Sequence, residues 1–336
     1  MKTISGIILA AMISGLVISA AEAASSAVVI MYHRFGEAEY PSTNTTLEQL
    51  DSHIAELTSG GYSVWPVEKI VTHLGAGRAL PDRTVGITID DGYRSIYTHA
   101  WPKFRAAGLP FTVFVATGHI DRGSSKHLTW DQIREMRDAG VSIGHHTVSH
   151  LHMPKATAAR LDDEISGAHA RFEKELGQKP ALFAYPYGEA SLAVSAKIKR
   201  AGFRAAFGQH SGVIGSTGDM FNLPRFALNE TYGDLARLRL AANALPLPVR
   251  DVTPANHMIG AANPPATGFT VAANIGSLTT LSCFFSHAGK AQVARLSSRV
   301  EVRIDTAFPR GRTRLNCTMP TAEGRWRWYG RQFYRP

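Results

Sequence analysis

The chain has 336 residues, of which 44% are hydrophobic, and it combines a formal net charge of +9 with two cysteines. This length allows one large α/β domain and a smaller second domain. The composition after the N-terminus excludes a transmembrane protein with several spans, because no later segment is apolar enough to cross a bilayer.

The first 23 residues have the pattern of a secretory signal peptide. Lys2 precedes an apolar stretch at 7–20, and Ala-Glu-Ala at 21–23 supplies the small residues of a cleavage site. An uncleaved membrane anchor is the alternative, but the stretch is short for a transmembrane helix. We therefore expect an exported protein, periplasmic or extracellular, whose mature chain begins near Ala24.

Residues 24–245 alternate between strand-like and helix-like patterns. The strand candidates are 27–33, 63–67, 84–90, 110–117, 141–144, 181–185 and 203–208. Seven alternations predict an α/β fold with a distorted parallel (β/α)7-type barrel. An open doubly wound sheet is the alternative, but no Gly-rich phosphate loop supports it.

Two adjacent aspartates follow the third strand candidate, in the sequence Thr-Ile-Asp-Asp-Gly at 88–92. Successive residues of a strand point to opposite faces, so Asp90 and Asp91 serve one site only if the strand ends there. Gly92 permits such a turn. In α/β folds the C-terminal ends of parallel strands hold the catalytic residues. Taken alone, however, Asp-Asp-Gly is more often a plain turn.

Two histidines follow the fifth strand candidate, in the sequence His-Thr-Val-Ser-His at 146–150. A spacing of four places His146 and His150 on one side of a helical turn or tight loop, which suits two ligands of one ion. Two imidazoles and one carboxylate form a facial metal site, and the second carboxylate is left to handle a proton. Histidine-rich surface loops are common, but together with the acidic pair these residues indicate metal-assisted hydrolysis.

The region 28–245 resembles the polysaccharide deacetylases, the fourth carbohydrate esterase family. Its acidic segment is similar to the first motif of that family, which implies that Asp90 is the general base and Asp91 a metal ligand. Its histidine segment is similar to the second motif, which implies that His146 and His150 both bind the metal.

Tyr-Pro-Tyr-Gly at 185–188 is similar to the third motif of the family. The resemblance implies that Tyr185, Pro186 and Tyr187 line the substrate groove, and that the Tyr187 N–H stabilises the oxyanion. In many members this motif also contains an arginine that orients the base. The sequence around Ala184 has no such arginine.

The late leucine-and-histidine motif, which usually supplies the general acid, is not evident after Phe203. Met-Tyr-His at 31–33 resembles the opening of members that act on exported poly-N-acetylglucosamine. His33 ends the first strand candidate, where it can face the same pocket as Asp90. We therefore assign the general acid to His33, with His210 as the second choice.

These features predict an exported, metal-dependent N-deacetylase of an N-acetylglucosamine-containing polysaccharide. The expected cofactor is Zn²⁺, with Co²⁺, Ni²⁺ or Mn²⁺ as alternatives. A bound zinc ion lowers the pKa of its water to about 7, so that metal-bound water is the nucleophile while Asp90 takes its proton. Two alternatives remain open: a catalytically decayed glycan-binding envelope protein, and an amidase acting on another amide or cyclic imide.

The last part of the chain has a different composition. Residues 246–268 are rich in Pro, Ala, Asn and Gly and predict a linker. Residues 269–336 predict a small antiparallel β-sandwich, with strand candidates at 269–272, 281–285, 291–296, 300–304, 314–318 and 326–334. An exported chain meets an oxidising compartment, so we expect a disulfide between Cys283 and Cys317.

Most of the excess positive charge lies near the C-terminus. Residues 251–336 contain eleven Lys or Arg and four Asp or Glu, a net +7. Such a surface favours anionic partners, for example envelope glycans or lipid headgroups, and export argues against nucleic acid. A solvated arginine-rich face without a partner is an equal alternative. In 324–329 arginine alternates with tryptophan, which places both indoles on one strand face to pack the sandwich core or, less simply, to bind glycan.

Overall fold

The computed structural model describes residues 23–215, 217–272 and 275–336. Apart from its last residue, the predicted signal peptide at 1–23 lies outside these ranges. Within them, no helix has both the length and the apolar character needed to cross a membrane.

A curled sheet of parallel strands forms the larger part of the protein. All seven strand candidates are present: Ser26–Tyr32, Ser63–Val64, Thr84–Ile89, Thr112–Val115, Ser142–His145, Leu182–Ala184 and Ala205–Phe207. The sheet begins with Ala205–Phe207 at one edge and continues through the strands in reverse chain order to Ser26–Tyr32. Ser63–Val64 does not belong to this series; it pairs with Thr84–Ile89. Every residue of Thr84–Ile89 is buried, as expected for a central parallel strand covered on both faces.

Helices cover the outside of this parallel sheet. Within the described ranges the α-helices are Leu47–Ser59, Val67–Gly75, Trp101–Ala106, Thr117–Asp121, Trp130–Asp138, Ala158–Leu176, Leu192–Arg200 and Leu235–Ala242. The first begins with a capping box, in which the Thr46 side chain accepts from the Gln49 N–H and the Gln49 side chain accepts from the Thr46 N–H. The longest buries one apolar stripe against the sheet.

The two edges of the curled sheet are joined by residues 223–227, here called the closing segment. Leu223 forms a parallel bridge to Phe207 at one edge, and Phe226 pairs in parallel with Ile30 at the other. The fold is therefore an α/β fold with a strongly curled parallel sheet, but the regular (β/α)7 repeat is not confirmed. The repeat lapses because the chain after Ala205–Phe207 forms a short strand, Ile214–Gly215, that pairs antiparallel with Ser26–Tyr32.

Two sheets, here called the C-terminal sheets, follow; their strands pair antiparallel, except that Leu245–Pro246 pairs in parallel with Trp326–Arg335. One has the order Leu245–Pro246, Trp326–Arg335, Gly311–Pro320, Ser282–Phe285, Gly289–Lys290, and the other Val249–Thr253, Thr267–Val271, Arg299–Arg303, Gln292–Leu296. All six strand candidates of this region are present. The predicted disulfide is confirmed, since Cys283 and Cys317 are bonded where Ser282–Phe285 pairs with Gly311–Pro320.

The prediction that residues 246–268 form a free linker is wrong. Val249–Thr253 forms a strand that pairs with Thr267–Val271, so the boundary placed at 268 falls inside a strand. Leu247 and Ile259 are buried in the core of the C-terminal sheets. The Pro-rich composition is misleading here because proline is tolerated beside edge strands, where no ladder hydrogen bond is lost.

The strand Trp326–Arg335 packs against the parallel-sheet region. A Cβ on Gly330 would lie 1.8 Å from the Ser211 carbonyl oxygen, so only glycine fits this approach. Trp328 packs edge-on against Phe226 of the closing segment, with ring centroids 5.1 Å apart, and Trp326 is 38% exposed. The two indoles therefore do not pack the sandwich core, contrary to the expectation from their alternation with arginine.

Candidate active site

Asp91, His146 and His150 converge beyond the C-terminal ends of the parallel strands. Asp91 Oδ1 lies 3.3 Å from His146 Nε2 and 3.2 Å from His150 Nε2, and the three candidate ligand atoms lie within 4.8 Å of one another. Among the described residues, the buried Asp91 Oδ1 and His146 Nε2 have no hydrogen-bond partner of acceptable geometry. Unpartnered buried polar atoms are costly, and one carboxylate with two imidazoles is a donor set for Zn²⁺. These residues fit a divalent metal ion.

The backbone is strained where it presents these side chains. Asp91 has φ +75°, Thr147 φ +67°, His150 φ +57° and Tyr187 φ +59°. Non-glycine residues in this region cost on the order of 1–3 kcal/mol each and persist where the surroundings fix them. The turn after Thr84–Ile89, which the sequence predicted from Gly92, thus begins at Asp91 itself.

Hydrogen bonds and charges set the ionisation of the ligand set. His146 Nδ1 lies 2.7 Å from the Ala184 carbonyl oxygen, so that nitrogen bears the proton and Nε2 faces Asp91. Burial lowers the pKa of His146, but the adjacent Asp91 carboxylate and the Asp90 charge outweigh burial and raise it. Burial raises the pKa of Asp91, yet the adjacent His146 and His150 imidazoles hold it well below the usual value. An ionised Asp91 beside two imidazole nitrogens suits a cation.

The loop at 146–150, here called the histidine loop, is held by Glu164 from the helix Ala158–Leu176. The buried Glu164 carboxylate accepts from the Val148 N–H at 2.9 Å, the Ser149 N–H at 2.8 Å and the Ser149 hydroxyl at 2.6 Å. No sequence motif predicted a role for Glu164. A signal was present, because Glu164 lies beside Ile165 on the apolar stripe of its helix.

Asp90 is held by an arginine that the sequence motifs did not reveal. Arg225 Nη1 lies 2.7 Å from Asp90 Oδ1 and Arg225 Nη2 lies 2.8 Å from Asp90 Oδ2, and both side chains are fully buried. Burial raises the pKa of Asp90, but the Arg225 guanidinium and His146 outweigh burial and lower it. Arg225 comes from the closing segment, not from the third motif, so an arginine from another place in the chain holds the Asp90 carboxylate.

His33, the first choice for the general acid, lies in this site, whereas His210, the second choice, does not. His33 Nε2 lies 4.0 Å from Asp90 Oδ2. Burial lowers the pKa of His33, although the Asp91 and Asp90 carboxylates oppose that effect. His210 is also buried, but the charged groups that affect its pKa are the cationic or basic His257, Arg331, Arg314 and Arg225.

The structure separates the three residues of the third motif. Tyr185 is fully buried and its hydroxyl donates to the Phe221 carbonyl oxygen at 2.8 Å. Its side chain therefore belongs to the core, and the expectation that it contacts substrate is wrong. Pro186 is buried as well. The Tyr187 ring lies edge-on to His150 at 4.4 Å and stacks on His152 at 4.2 Å, so Tyr187 alone of the three borders the metal-ligand candidates.

Residues 77–206, which include both the acidic pair and the histidine loop, match the sequence model of the family described as polysaccharide deacetylase. This part of the chain is therefore similar to the polysaccharide deacetylase family. Arg225 and the C-terminal sheets lie outside the matched residues.

Proteins named as deacetylases resemble the chain in sequence and in fold. YxkH of Bacillus subtilis is 25% identical over 59% of this chain and 69% of its own length. The poly-β-1,6-N-acetyl-D-glucosamine N-deacetylase of Escherichia coli K12 is 26% identical over 52% of this chain, which spans only 32% of that enzyme. The Streptococcus pyogenes deacetylase PplD, solved in complex with acetate, is similar in structure with a TM-score of 0.60 and 21% identity, over 65% of this chain and 98% of PplD. At that identity the similarity shows the fold.

Substitution of Arg225 by Met is expected to destabilise the protein by about 3–5 kcal/mol, because it leaves the Asp90 carboxylate buried without a counter-charge. Urea unfolding measures this loss. Adding Asp90→Asn to the same chain removes the unpaired charge and restores part of the stability. A double variant as unstable as Arg225→Met alone would contradict the ion pair as the cause.

Substitution of Glu164 by Ala is expected to weaken zinc binding about 10- to 100-fold, because the histidine loop loses the acceptor that holds its backbone. Isothermal titration of the metal-free protein with Zn²⁺ measures the affinity. Asp163→Ala, at an exposed position on the same helix, is the matched control and keeps wild-type affinity. Equal affinities of the two variants would show that Glu164 does not support the metal ligands.

Proposed function

We propose that this deacetylase is an exported, metal-dependent hydrolase that removes N-acetyl groups from an N-acetylglucosamine-containing polysaccharide. One observation carries the proposal: the ligand set of Asp91, His146 and His150 lies beside a second buried carboxylate, Asp90, that is bonded separately to Arg225. The E. coli relative is named for its action on poly-β-1,6-N-acetyl-D-glucosamine, which supports this substrate class.

Asp91, His146 and His150 would hold the metal ion, with Zn²⁺ as the first choice and Co²⁺, Ni²⁺ or Mn²⁺ also compatible with these donors. When bound, the ion supplies a Lewis acid that polarises the acetamide carbonyl and makes a water molecule easier to ionise. The Tyr187 N–H adds a hydrogen bond to the developing oxyanion.

Asp90 acts as the general base. Arg225 bonds both of its oxygens and keeps the carboxylate ionised, so it can accept the proton of the water that attacks the acetyl carbon. Gln209 Nε2, 3.5 Å from Asp90 Oδ2, further limits rotation of the carboxyl group. Because the pKa of Asp90 is lowered, its protonated carboxyl group readily gives the proton to a neighbouring group.

His33 acts as the general acid. Its Nε2 faces Asp90 Oδ2 at 4.0 Å, so the proton taken from water can pass to the imidazole and from there to the departing sugar nitrogen. Burial favours the neutral ring, which makes the protonated form a ready donor. The carbon–nitrogen bond breaks as the amine is protonated, and the products are acetate and a glucosamine unit.

The glycan-binding alternative without catalysis rested on two missing residues, an arginine for the base and a histidine for the acid. Arg225 and His33 now supply candidates for both roles, which weakens that alternative. No feature of the site favours a cyclic imide or another small amide over a polysaccharide.

The proposed function predicts acetate release from N-acetylated glycans. The mature protein is incubated with poly-β-1,6-N-acetylglucosamine, chitin oligosaccharides and peptidoglycan, and released acetate is measured before and after chelation and Zn²⁺ addition. Asp90→Asn and His33→Ala are each expected to lower kcat by about 10²- to 10⁴-fold, the usual contribution of general acid–base groups. His210→Ala is the control for the acid and keeps wild-type turnover.

Three outcomes would contradict the proposal. Full activity in the presence of chelator would exclude the metal, and full activity of Asp90→Asn would exclude the base. Loss of turnover in His210→Ala but not in His33→Ala would return the acid role to His210.

A further inference from the structure

The loop at 185–189, here called the tyrosine loop, is bonded to a strand far away in sequence. Gln332, on the strand Trp326–Arg335, donates from Nε2 to the Tyr187 carbonyl oxygen at 2.9 Å. The Gln332 residue is only 3% exposed, and its Oε1 has no hydrogen-bond partner within the part of the chain that the structure describes. The hydrogen bond to Tyr187 is therefore the interaction that accounts for a buried amide at this position.

A second strand of the same sheet also contacts the tyrosine loop. Arg312, on Gly311–Pro320, places its guanidinium 5.5 Å from the centre of the Tyr187 ring and its Nε 3.9 Å from Glu189 Oε1. Glu189 is 2% exposed, and its Oε2 lies 2.7 Å from His152 Nδ1. The middle and the C-terminal end of the tyrosine loop thus contact polar side chains of the C-terminal sheets.

The tyrosine loop needs such support because its conformation is unfavourable by itself. Tyr187 has φ +59°, which a non-glycine residue keeps only where neighbouring groups fix it. Its ring lies edge-on to His150, a metal-ligand candidate, at 4.4 Å. A shift of Tyr187 therefore changes both the direction of its N–H and the packing against His150.

Gln332 itself is rigidly placed. Its backbone pairs with Arg314 in the ladder of the two longest C-terminal strands, and its carbonyl oxygen lies 3.0 Å from His257 Nδ1. Two residues earlier, Gly330 touches the Ser211 carbonyl, which fixes the strand against the parallel-sheet region. A hydrogen bond from this strand can therefore hold the tyrosine loop in one position.

We propose that Gln332 is a positioning residue of the active site, which fixes the Tyr187 backbone so that the oxyanion donor and His150 keep their geometry. The C-terminal sheets are then a working part of the catalytic unit, although they lie outside the residues that match the family. This inference rests on the proposed deacetylase function. It assigns to Gln332 an effect on kcat rather than on substrate affinity, because the hydrogen bond acts on groups that stabilise the transition state.

Gln332→Met tests this role in the full-length chain, since Met fills a similar volume and removes the donor. Acetate release is expected to show a kcat about tenfold lower, with KM within about twofold of wild type. Arg325→Met is the matched control. Arg325 also joins the C-terminal sheets to the parallel-sheet region, through Asp82 at 3.0 Å, but it does not contact the tyrosine loop. This control is expected to keep kcat while thermal unfolding shows a comparable loss of stability.

Hydrogen exchange of the metal-free protein gives a readout that does not depend on activity. The amides at 187–189 are expected to exchange faster in Gln332→Met than in wild type, and at the wild-type rate in Arg325→Met. Unchanged exchange and unchanged kcat in Gln332→Met would overturn the inference, as would equal losses of kcat in the two variants. A wild-type protein that releases no acetate from any glycan would count against the proposed function instead, and the exchange comparison would still test Gln332.

Discussion

The buried ion pair between Asp90 and Arg225 is the interaction on which the site depends. Neither charge is tolerable alone in the core, since breaking a buried pair by removing one partner costs several kcal/mol. Asp90 ends a central strand, and Arg225 lies on the closing segment that joins the two edges of the curled sheet. Formation of the pair therefore requires that the sheet curl and close. The Asp90 carboxylate becomes oriented only in a chain that has completed this closure.

The same pair explains how two adjacent aspartates serve different purposes. Asp90 faces an arginine, whereas Asp91, one residue later in the left-handed conformation, faces two imidazoles. These different partners suit the neighbouring carboxylates to the two proposed roles, general base for Asp90 and metal ligand for Asp91. The division depends on the turn at Asp91, because an extended backbone would direct the two side chains to opposite faces.

The arginines of the C-terminal sheets also have a structural use that their net charge did not suggest. Several donate to carbonyl or carboxylate oxygens of other segments: Arg314 to Gln209, Arg325 to Asp82 and Asn243, Arg327 to Pro246, Arg331 to Pro254 and Ala255. Part of the positive charge after residue 250 thus stabilises contacts within the protein. An anionic partner for this region stays a proposal, and only the arginines left exposed are available to bind one.

The sequence by itself determined what is encoded locally. The strands followed from runs of β-branched residues, the ligand candidates from a strand-end turn and a spacing of four, and the disulfide from the two cysteines. Only the tertiary structure decided the rest: the 135-residue separation of Arg225 from Asp90, the burial of Tyr185, the strand inside the predicted linker and the contact of Gln332 with Tyr187. The physical reason is that periodicity and turn chemistry act over a few residues. Partners that are far apart in the chain are chosen by sheet closure and packing, which no short pattern records.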